Sequence, residues 1–330
     1  MPPIAQDAAA VPIVDAPVVD AVVIGRNEGA RLLACLTSLK GQVRRIVYVD
    51  SGSSDASVPE ARRLGAEVVA LDLSRPFTAA RARNAGMTRL DGDPPAFVQL
   101  VDGDCTVDHG WIGAALAGFE AHPRAVVICG RRRERFPAAS VYNRLADREW
   151  NTPVGRAAAC GGDALMRYRA VMTVGGFRDA LIAGEEPELC LRLSRAGGEV
   201  WRIEAEMTLH DAAMHRFGQW WQRTRRAGHA FAEGSALHAD GPEGHWRVET
   251  KRALFWGALL PAGILAAALV WPPVLLLALI YPVQVIRLAR RGGVEWALFN
   301  VIGKFAEAQG VLGFLLGRMT GQKRGLIEYK

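Results

Sequence analysis

Short apolar runs alternate with helical patterns over the first hundred residues, and this alternation constrains the fold more than any other feature. The runs "DAVVIG", "RIVYVD" and "AFVQLVD" end at Gly25, Asp50 and Asp102, and amphipathic patterns separate them. Strands that alternate with helices predict a parallel, doubly wound α/β sheet. In such sheets ligands bind beyond the carboxyl ends of the strands.

Polar clusters follow three of the predicted strands: "GRNEG", "DSGSSD" and "DGD". In the last, Asp102 and Asp104 flank one glycine, and two carboxylates so placed suit Mg²⁺ or Mn²⁺, which share oxygen ligands with substrate phosphates. Arg81 and Arg83 suit diphosphate recognition. The pattern favours a nucleoside diphosphate bound with a divalent cation. A solvated Asp-Gly-Asp turn and a solvated arginine face are the alternatives.

Two common phosphate-binding motifs are absent from the sequence. No GxGxxG follows the first predicted strand, and no GxxxxGK[ST] occurs anywhere in the chain. Their absence argues against a dinucleotide-binding fingerprint and against a P-loop. The remaining hypothesis is group transfer from an activated, diphosphate-bearing donor.

The C-terminal part carries an apolar excess that raises the mean hydropathy of the chain to +0.08. Residues 253–286 contain no charged side chain over 34 residues. A single helix of that length would measure about 51 Å, whereas the hydrocarbon core of a bilayer is about 30 Å thick. Pro272 and Pro273 would break such a helix. We expect two short spans or a re-entrant hairpin; a buried hairpin of a soluble protein is the alternative.

Basic residues flank this stretch, with "KR" before it and "RLARR" after it. Basic residues at both ends of the stretch predict that both ends lie in the cytoplasm. The net charge of +6 agrees with an anionic membrane surface as a partner. We therefore expect attachment to the cell inner membrane with the catalytic domain on the cytoplasmic side. The segment 294–317, which contains Lys304, Glu307 and Gln309, is expected to lie in the interface as an amphipathic helix, or else to form a third span.

The five cysteines form no CxxC pair and their number is odd, so neither a zinc site nor a disulfide framework is predicted. Such cysteines are expected to be small buried apolar residues. Residues 1–19 are rich in Ala and Pro, lack the features of a signal peptide and predict a flexible lead-in. A catalytic domain is expected over residues 20–250, and a membrane-associated region over 251–330.

Seven segments in order, over roughly residues 20 to 230, resemble the family 2 glycosyltransferases: "VVIGRNEG", "VYVDSGSSD", "ARARNAG", "VDGD", "GGDALMR", "VGGF" and "GEEPELCLRL". The resemblance implies a nucleotide-diphospho-sugar transferase fold of the GT-A type. It also implies metal-dependent, inverting transfer of one sugar from a nucleoside-diphosphate sugar to a hydroxyl of a lipid-linked or polysaccharide acceptor. By analogy with the family, the pathway would be surface or exopolysaccharide synthesis. No nucleic-acid partner is expected.

The resemblance also assigns site residues. The nucleotide-sugar site would comprise Gly25, Arg26, Asn27, Glu28, Asp50, Arg81, Arg83, Asn84, Asp102, Gly161, Gly162 and Asp163. A divalent cation, Mg²⁺ or Mn²⁺, would be held by Asp102, Asp104 and His210, with Asp104 as the more direct ligand. A hydrogen-bonded structural histidine is the alternative for His210. The cation would bridge the two phosphates and neutralise the leaving diphosphate.

The catalytic acids implied by the resemblance are Glu185 and Glu186, of which Glu186 would be the general base. Here the sequence departs from the family pattern, because Glu186 stands where an Asp is usual and is one methylene longer. Glu185 and Glu188 therefore stay open as alternative bases.

Three other features leave choices open. The segment "GQWWQR" lacks the Gln-x-x-Arg-Trp motif of processive synthases, which favours transfer of a single sugar. Trp220 and Trp221 are expected to form an acceptor platform or to anchor the domain at the membrane interface. The basic segment "GRRRERF" (130–136) is expected to face phosphates or anionic lipid, or to be a solvated strand end.

Two rival functions remain. A sugar-1-phosphate nucleotidylyltransferase would open with a Gly-rich basic loop, which "GRNEG" does not supply. A nucleotide-sugar-binding membrane scaffold without turnover has only the Glu-for-Asp change in its favour.

Overall fold

The computed structural model describes residues 17–321, so most of the predicted lead-in (1–19) lies outside the described residues. The predicted alternation of strands and helices is observed up to Asp102. Its elements are β1 (Val19–Gly25), α1 (Ala30–Leu39), β2 (Ile46–Asp50), α2 (Ser57–Arg63), β3 (Glu67–Ala70), α3 (Ala79–Thr88) and β4 (Phe97–Asp102).

The second half of the α/β domain is less regular. It contains β5 (Cys105–Val107), α4 (Trp111–Ala121), β6 (Ala125–Glu134), α5 (Val141–Trp150), β7 (Gly155–Ala157), β8 (Ala164–Arg167), α6 (Tyr168–Thr173), α7 (Glu185–Arg195), β9 (Glu199–His210) and α8 (Phe217–Leu237).

All these strands join one sheet, in the order β3-β2-β1-β4-β8-β6-β9-β5, with β7 paired to β9. The pairs among β1 to β4 are parallel, but β8 runs antiparallel to both β4 and β6. β9 is parallel to β6 and antiparallel to β5 and β7. The fold is therefore α/β as predicted, but its sheet is mixed, and the doubly wound parallel order holds for β1 to β4.

The register brings the predicted strand ends to one edge of the sheet. Gly25 of β1 lies opposite Asp50 of β2, and Ile24 lies opposite Asp102 of β4. The central strands are apolar and buried on both faces, as parallel sheets covered by helices require. All five cysteines are buried, as expected of small apolar residues.

The apolar C-terminal region folds as a helical hairpin. Its elements are α9 (Arg247–Leu254), a π turn (Phe255–Leu259), α10 (Leu260–Ala268), a 3₁₀ stretch (Pro272–Leu279) and α11 (Ile280–Gly292). The chain reverses just before Pro272, where the two prolines predict a break. By length and composition, the helices Arg247–Ala268 and Pro272–Gly292 could each cross a membrane.

We call residues 255–286 the apolar hairpin. Its large side chains face outward: Leu269 and Val270, near the tip, are each 89% exposed. None of the most apolar 18-residue stretch of Pro272–Gly292 is buried. At the other end, the Tyr281 hydroxyl donates a hydrogen bond to the Trp256 carbonyl at 2.7 Å and joins the two arms. The exposed surface is more apolar than water-soluble domains normally leave open.

The last helix, α12 (Val294–Thr320), packs along α8 through glycines. A Cβ atom on Gly228 would lie 2.0 Å from the Glu307 carbonyl oxygen, and one on Gly310 would lie 2.0 Å from that of Arg225. Lys304 forms an ion pair with Glu307, so these polar groups of α12 have partners inside the protein. An interfacial position for the segment 294–317 stays a prediction, but one face of it is covered by α8.

Candidate active site

A cleft of about 580 Å³ opens beyond the carboxyl ends of β1 and β4, where the sequence places its polar clusters. The N-terminus of α7 and one face of α8 form its other walls. Of the predicted site residues, those that line it are Gly25, Arg26, Glu28, Arg83, Asp102, Asp104, Gly161, Gly162, Glu185, Glu186 and His210.

The guanidinium of Arg83 joins three carboxylates in this cleft. Its Nη2 lies 2.9 Å from Asp102 Oδ1. Its Nη1 lies 2.9 Å from Glu185 Oε1 and 2.8 Å from Glu186 Oε1. The Arg83 side chain is only 3% exposed, so these charge-assisted contacts are weakly screened. Arg83 therefore fixes the end of β4 relative to the first turn of α7.

Glu186 has an unusual acidity. Burial and the neighbouring Glu185 carboxylate raise its pKa to about 7, although Arg83 acts in the opposite direction. A carboxyl group with this pKa exists in both protonation states near neutral pH, as a general acid or base must. Both glutamates stand in the first turn of α7, directly after Gly184, whose φ of 78° is a left-handed conformation that favours glycine.

Asp104 and His210 lie side by side because β5 and β9 pair directly. Cys105 is opposite His210 in that pairing, and His210 Nε2 lies 3.3 Å from Asp104 Oδ2. The ligand atoms of Asp104, Cys105 and His210 all lie within 4.8 Å of one another. The other imidazole nitrogen faces Glu134 Oε2 at 3.9 Å. A carboxylate behind a histidine is the usual way in which a metal-binding imidazole is oriented.

The candidate ligand atoms in the cleft fit a hard divalent cation. Asp102 belongs to a second group of close ligand atoms, with Cys105 and Asp163. Burial opposes its ionisation, but Arg83 and Arg132 hold the pKa of Asp102 below its ordinary value, so its carboxylate is charged. Burial raises the pKa of the Cys105 thiol well above its ordinary value, which leaves it a poor ligand. Carboxylate oxygens are therefore the main donors, and Mg²⁺ and Mn²⁺ prefer these.

The family model described as glycosyl transferase family 2 matches residues 20–167, from β1 to the end of β8. Over these residues the chain is similar to glycosyl transferase family 2. The matched residues contain the Asp102–Asp104 pair, whereas Glu185, Glu186 and His210 follow the matched region.

Curated relatives agree with the family. The chain is 29% identical over 205 residues to a pre-mycofactocin glycosyltransferase of Mycobacterium tuberculosis, which covers 58% of this chain and 42% of that protein. It is 27% identical over 194 residues to the succinoglycan biosynthesis protein ExoA of Rhizobium meliloti, which covers 54% of this chain and 58% of that protein. The chain thus spans about half the length of the curated relatives it matches.

Among solved structures, the mannosyltransferase PcManGT of Pyrobaculum calidifontis matches 90% of this chain and 87% of its own with a TM-score of 0.64. The sequence identity is 20%, so this similarity shows the fold alone. The fold is the GT-A glycosyltransferase fold, as expected from the sequence.

Five predicted site residues do not line the cleft: Asn27, Asp50, Arg81, Asn84 and Asp163. The Asp50 carboxylate accepts hydrogen bonds from Gly52 N and Ser53 N, each at 3.0 Å, and so builds its own loop. Asn27, with φ of 56°, accepts from Ser54 N at 2.7 Å and ties the first strand-end loop to the second. A role for both in nucleotide binding stays a prediction.

Arg81 and Asn84 likewise face inward. The Arg81 guanidinium donates to the carbonyls of Asp72, Arg75 and Pro76. The Asn84 amide donates to the Phe177 carbonyl at 2.8 Å and to Asp179 Oδ1 at 2.7 Å. Of the two arginines that suit a diphosphate, only Arg83 reaches the cleft.

Asp163 supports the cleft from behind. It is fully buried and accepts hydrogen bonds from Thr208 Oγ1 at 2.7 Å and from Asp102 N at 3.2 Å. Arg132 Nε lies 3.4 Å from Asp163 Oδ2, and Arg132 Nη2 lies 3.3 Å from Asp102 Oδ2. Arg132, one of three consecutive arginines in "GRRRERF", is a cation of the cleft that sequence reasoning did not single out. The pattern alone does not distinguish it from Arg131 or Arg133.

The wall formed by α8 was also missed. The residues of α8 that line the cleft follow the three- and four-residue spacing of one helix face: Arg223, Arg226, Ala227, Ala230 and Phe231. This spacing could have been found in the sequence. Trp220, in contrast, is buried, and the Trp221 indole donates to Gln309 Oε1 at 2.8 Å. Neither tryptophan lines the cleft, so the predicted acceptor platform is not observed there.

Proposed function

We propose that the protein is an inverting glycosyltransferase that moves one sugar from a nucleoside-diphosphate sugar to a hydroxyl group of an acceptor. The observation that carries this proposal is the position of Glu186, with its pKa of about 7, in the same cleft as the Asp102–Asp104 carboxylates. The names of the curated relatives support it, since they include a glycosyltransferase and a polysaccharide biosynthesis protein.

The residues that would hold a divalent cation are Asp102, Asp104 and His210. The PcManGT structure contains GDP-mannose with Mn²⁺, which supports a metal of this kind, either Mn²⁺ or Mg²⁺. When bound, such a cation neutralises charge on the leaving diphosphate. Arg83 and Arg132, which both contact Asp102, supply further positive charge beside it.

The chain's own part in the reaction is to hold and move a proton. The carboxylate of Glu186 accepts the proton of the acceptor hydroxyl while that oxygen forms a bond to the anomeric carbon. The bond from that carbon to the diphosphate oxygen breaks, and the nucleoside diphosphate leaves with the electron pair. A single displacement of this kind inverts the anomeric centre. Arg83 keeps the Glu186 side chain in position through its contact with Oε1.

We further propose that the apolar hairpin attaches the enzyme to the cell inner membrane, with the cleft on the cytoplasmic side. The exposure of its large apolar side chains supports insertion into lipid. The acceptor would then be lipid-linked or a polysaccharide. The double role of α8 supports this, because one face lines the cleft and the opposite face packs on α12 next to the hairpin.

The test is donor turnover by the full chain in nanodiscs. UDP-, GDP- and dTDP-sugars are screened with Mn²⁺ or Mg²⁺, and then with EDTA. We expect one donor to be turned over. EDTA and Asp104→Asn should each lower the rate by about 100-fold or more, while Asp240→Asn, at an exposed aspartate away from the cleft, keeps the wild-type rate.

Two outcomes would contradict the proposal. Turnover that needs no metal and survives Asp104→Asn would remove the assigned metal site. A donor that binds to both the wild type and Glu186→Gln, without turnover by either, would favour the non-catalytic scaffold.

A further inference from the structure

Five exposed cationic residues surround the base of the apolar hairpin. Lys251 and Arg252 precede its first arm, and Arg287, Arg290 and Arg291 follow its second arm in the last turns of α11. Within residues 17–321, none of these five side chains forms an ion pair. We call this set the basic collar.

The two halves of the basic collar are brought together by the fold. The Tyr281 hydroxyl bonds to the Trp256 carbonyl, and the two rings lie 6.2 Å apart. Both arms extend from this pair to a common tip, and the chain runs in opposite directions along them. At 1.5 Å per residue, Lys251 and Arg252 lie about 6–8 Å from the pair, on the side away from the tip. The three arginines lie about 9–15 Å from it on the same side.

Charge and polarity change close to the aromatic pair. Toward the tip, residues 257–280 carry no charge, and Val270 lies about 21 Å beyond the pair; on the other side, the collar cations begin within about 6–9 Å of it. That reach exceeds half of the roughly 30 Å hydrocarbon core. Away from the tip, the collar falls within reach of a headgroup layer about 5–8 Å thick, because long cationic side chains extend toward it.

The acids near the collar do not neutralise it. Glu295, at the start of α12, is already paired with Arg144 at 2.8 Å. Glu249, on α9, is a single carboxylate against five cations. The surface around the hairpin base is therefore strongly positive, and it borders an exposed apolar surface. A bilayer with phosphate-bearing anionic headgroups has the complementary order of charge and polarity.

We propose that the basic collar binds the anionic phosphate headgroups of the leaflet into which the apolar hairpin inserts. This inference rests on the proposed membrane attachment, but it adds a specificity for lipid charge. The apolar hairpin supplies affinity for any bilayer, and the collar makes that affinity depend on anionic lipid and on ionic strength.

The experiment is vesicle flotation with the full chain after detergent removal. Vesicles of phosphatidylcholine alone are compared with vesicles that contain about one quarter phosphatidylglycerol, at low and high salt. We expect about tenfold or stronger partitioning into the anionic vesicles at low salt, and loss of this preference at high salt. A combined Arg287→Gln, Arg290→Gln, Arg291→Gln variant should lose the preference and still float with neutral vesicles.

A charge-matched control separates the effect of the basic collar on lipid preference from the effect of the protein's net charge. The variant Lys40→Gln, Arg62→Gln, Arg169→Gln removes three exposed cations from the α/β domain, and it should keep the preference. Equal binding of the wild type to both kinds of vesicle would overturn the proposed role of the basic collar and leave the proposed membrane attachment standing. A collar variant that keeps the preference would do the same, and absence of binding to either kind of vesicle would overturn the membrane attachment as well.

Discussion

Arg83 is the side chain on which the geometry of the cleft depends. Its three carboxylate partners come from two distant parts of the chain, Asp102 at the end of β4 and the Glu185–Glu186 pair at the start of α7. Removing one partner of a buried ion pair leaves the other partner as an uncompensated buried charge. Arg83 therefore couples the proposed metal-binding edge to the proposed general base.

The raised pKa of Glu186 leads to a prediction on pH. A group with a pKa of about 7 is about one-tenth ionised at pH 6 and about nine-tenths ionised at pH 8. Only the ionised form accepts a proton, so kcat should rise about tenfold between these values, as steady-state rates over that range would show. Glu186→Gln should lower kcat by about 100-fold or more, with donor binding retained.

An exposed glutamate provides the control for this prediction. Glu120→Gln, on α4, should keep both the rate and the pH profile of the wild type. If the wild-type rate is flat over this pH range, Glu186 is not the base, and the neighbouring Glu185 becomes the alternative to test.

Individual site residues were predictable to different degrees. Asp102 and Asp104 follow an apolar strand, so the sequence itself indicates their place at the edge of the sheet. Glu186 came from the family resemblance. Arg132 lies in a run of three arginines, and its contacts with Asp102 and Asp163 depend on the β6–β8–β4 arrangement, which no local pattern contains.

At the scale of elements, α8 stands out because two of its faces make different contacts. One face lines the cleft, and the other lies against α12 at the contacts of Gly228 and Gly310. Backbone atoms meet there directly, so little room exists for any side chain.

This close approach predicts a cost for added methyl groups. In Gly228→Ala or Gly310→Ala, the new Cβ would lie 2.0 Å from a backbone carbonyl oxygen, and the helices must move apart. We expect a loss of about 1–3 kcal/mol in the free energy of unfolding, seen as a lower melting temperature in detergent. Gly113→Ala on α4 meets nothing within 4 Å and should be neutral or slightly stabilising. Equal melting temperatures for all three variants would contradict the packing.

The secondary-structure elements were predicted well in the part of the chain where strands and helices alternate regularly. Strands β1 to β4 have long amphipathic crossovers, and such crossovers produce parallel neighbours. After Asp104 the connections become irregular and rich in glycine, and β8 inserts antiparallel between β4 and β6. That insertion depends on long-range pairing, so local periodicity could not predict it.

At the scale of the whole molecule, an α/β domain with a buried core is joined to a hairpin whose apolar side chains face outward. Val270 is the clearest case, at 89% exposure near the tip. If the tip lies in hydrocarbon, Val270→Lys should cost about 2.5–3.5 kcal/mol of insertion free energy. The variant should therefore be released from membranes by a wash that leaves the wild type bound.

Leu73 provides a matched control for the tip variant. It is 58% exposed in the α/β domain, so Leu73→Lys should stay membrane-bound like the wild type. Equal retention of both variants would place the tip outside the hydrocarbon.

The glycine contacts between α8 and α12 have a geometric consequence. They join the wall of the cleft to the helix beside the apolar hairpin through backbone atoms rather than flexible side chains. If the apolar hairpin inserts into a bilayer as proposed, the height of the cleft above that bilayer is fixed. An acceptor anchored in the same bilayer would then reach Glu186 only when the chain between its anchor and its terminal hydroxyl has a matching length, so the proposed enzyme would select acceptors by reach as well as by shape.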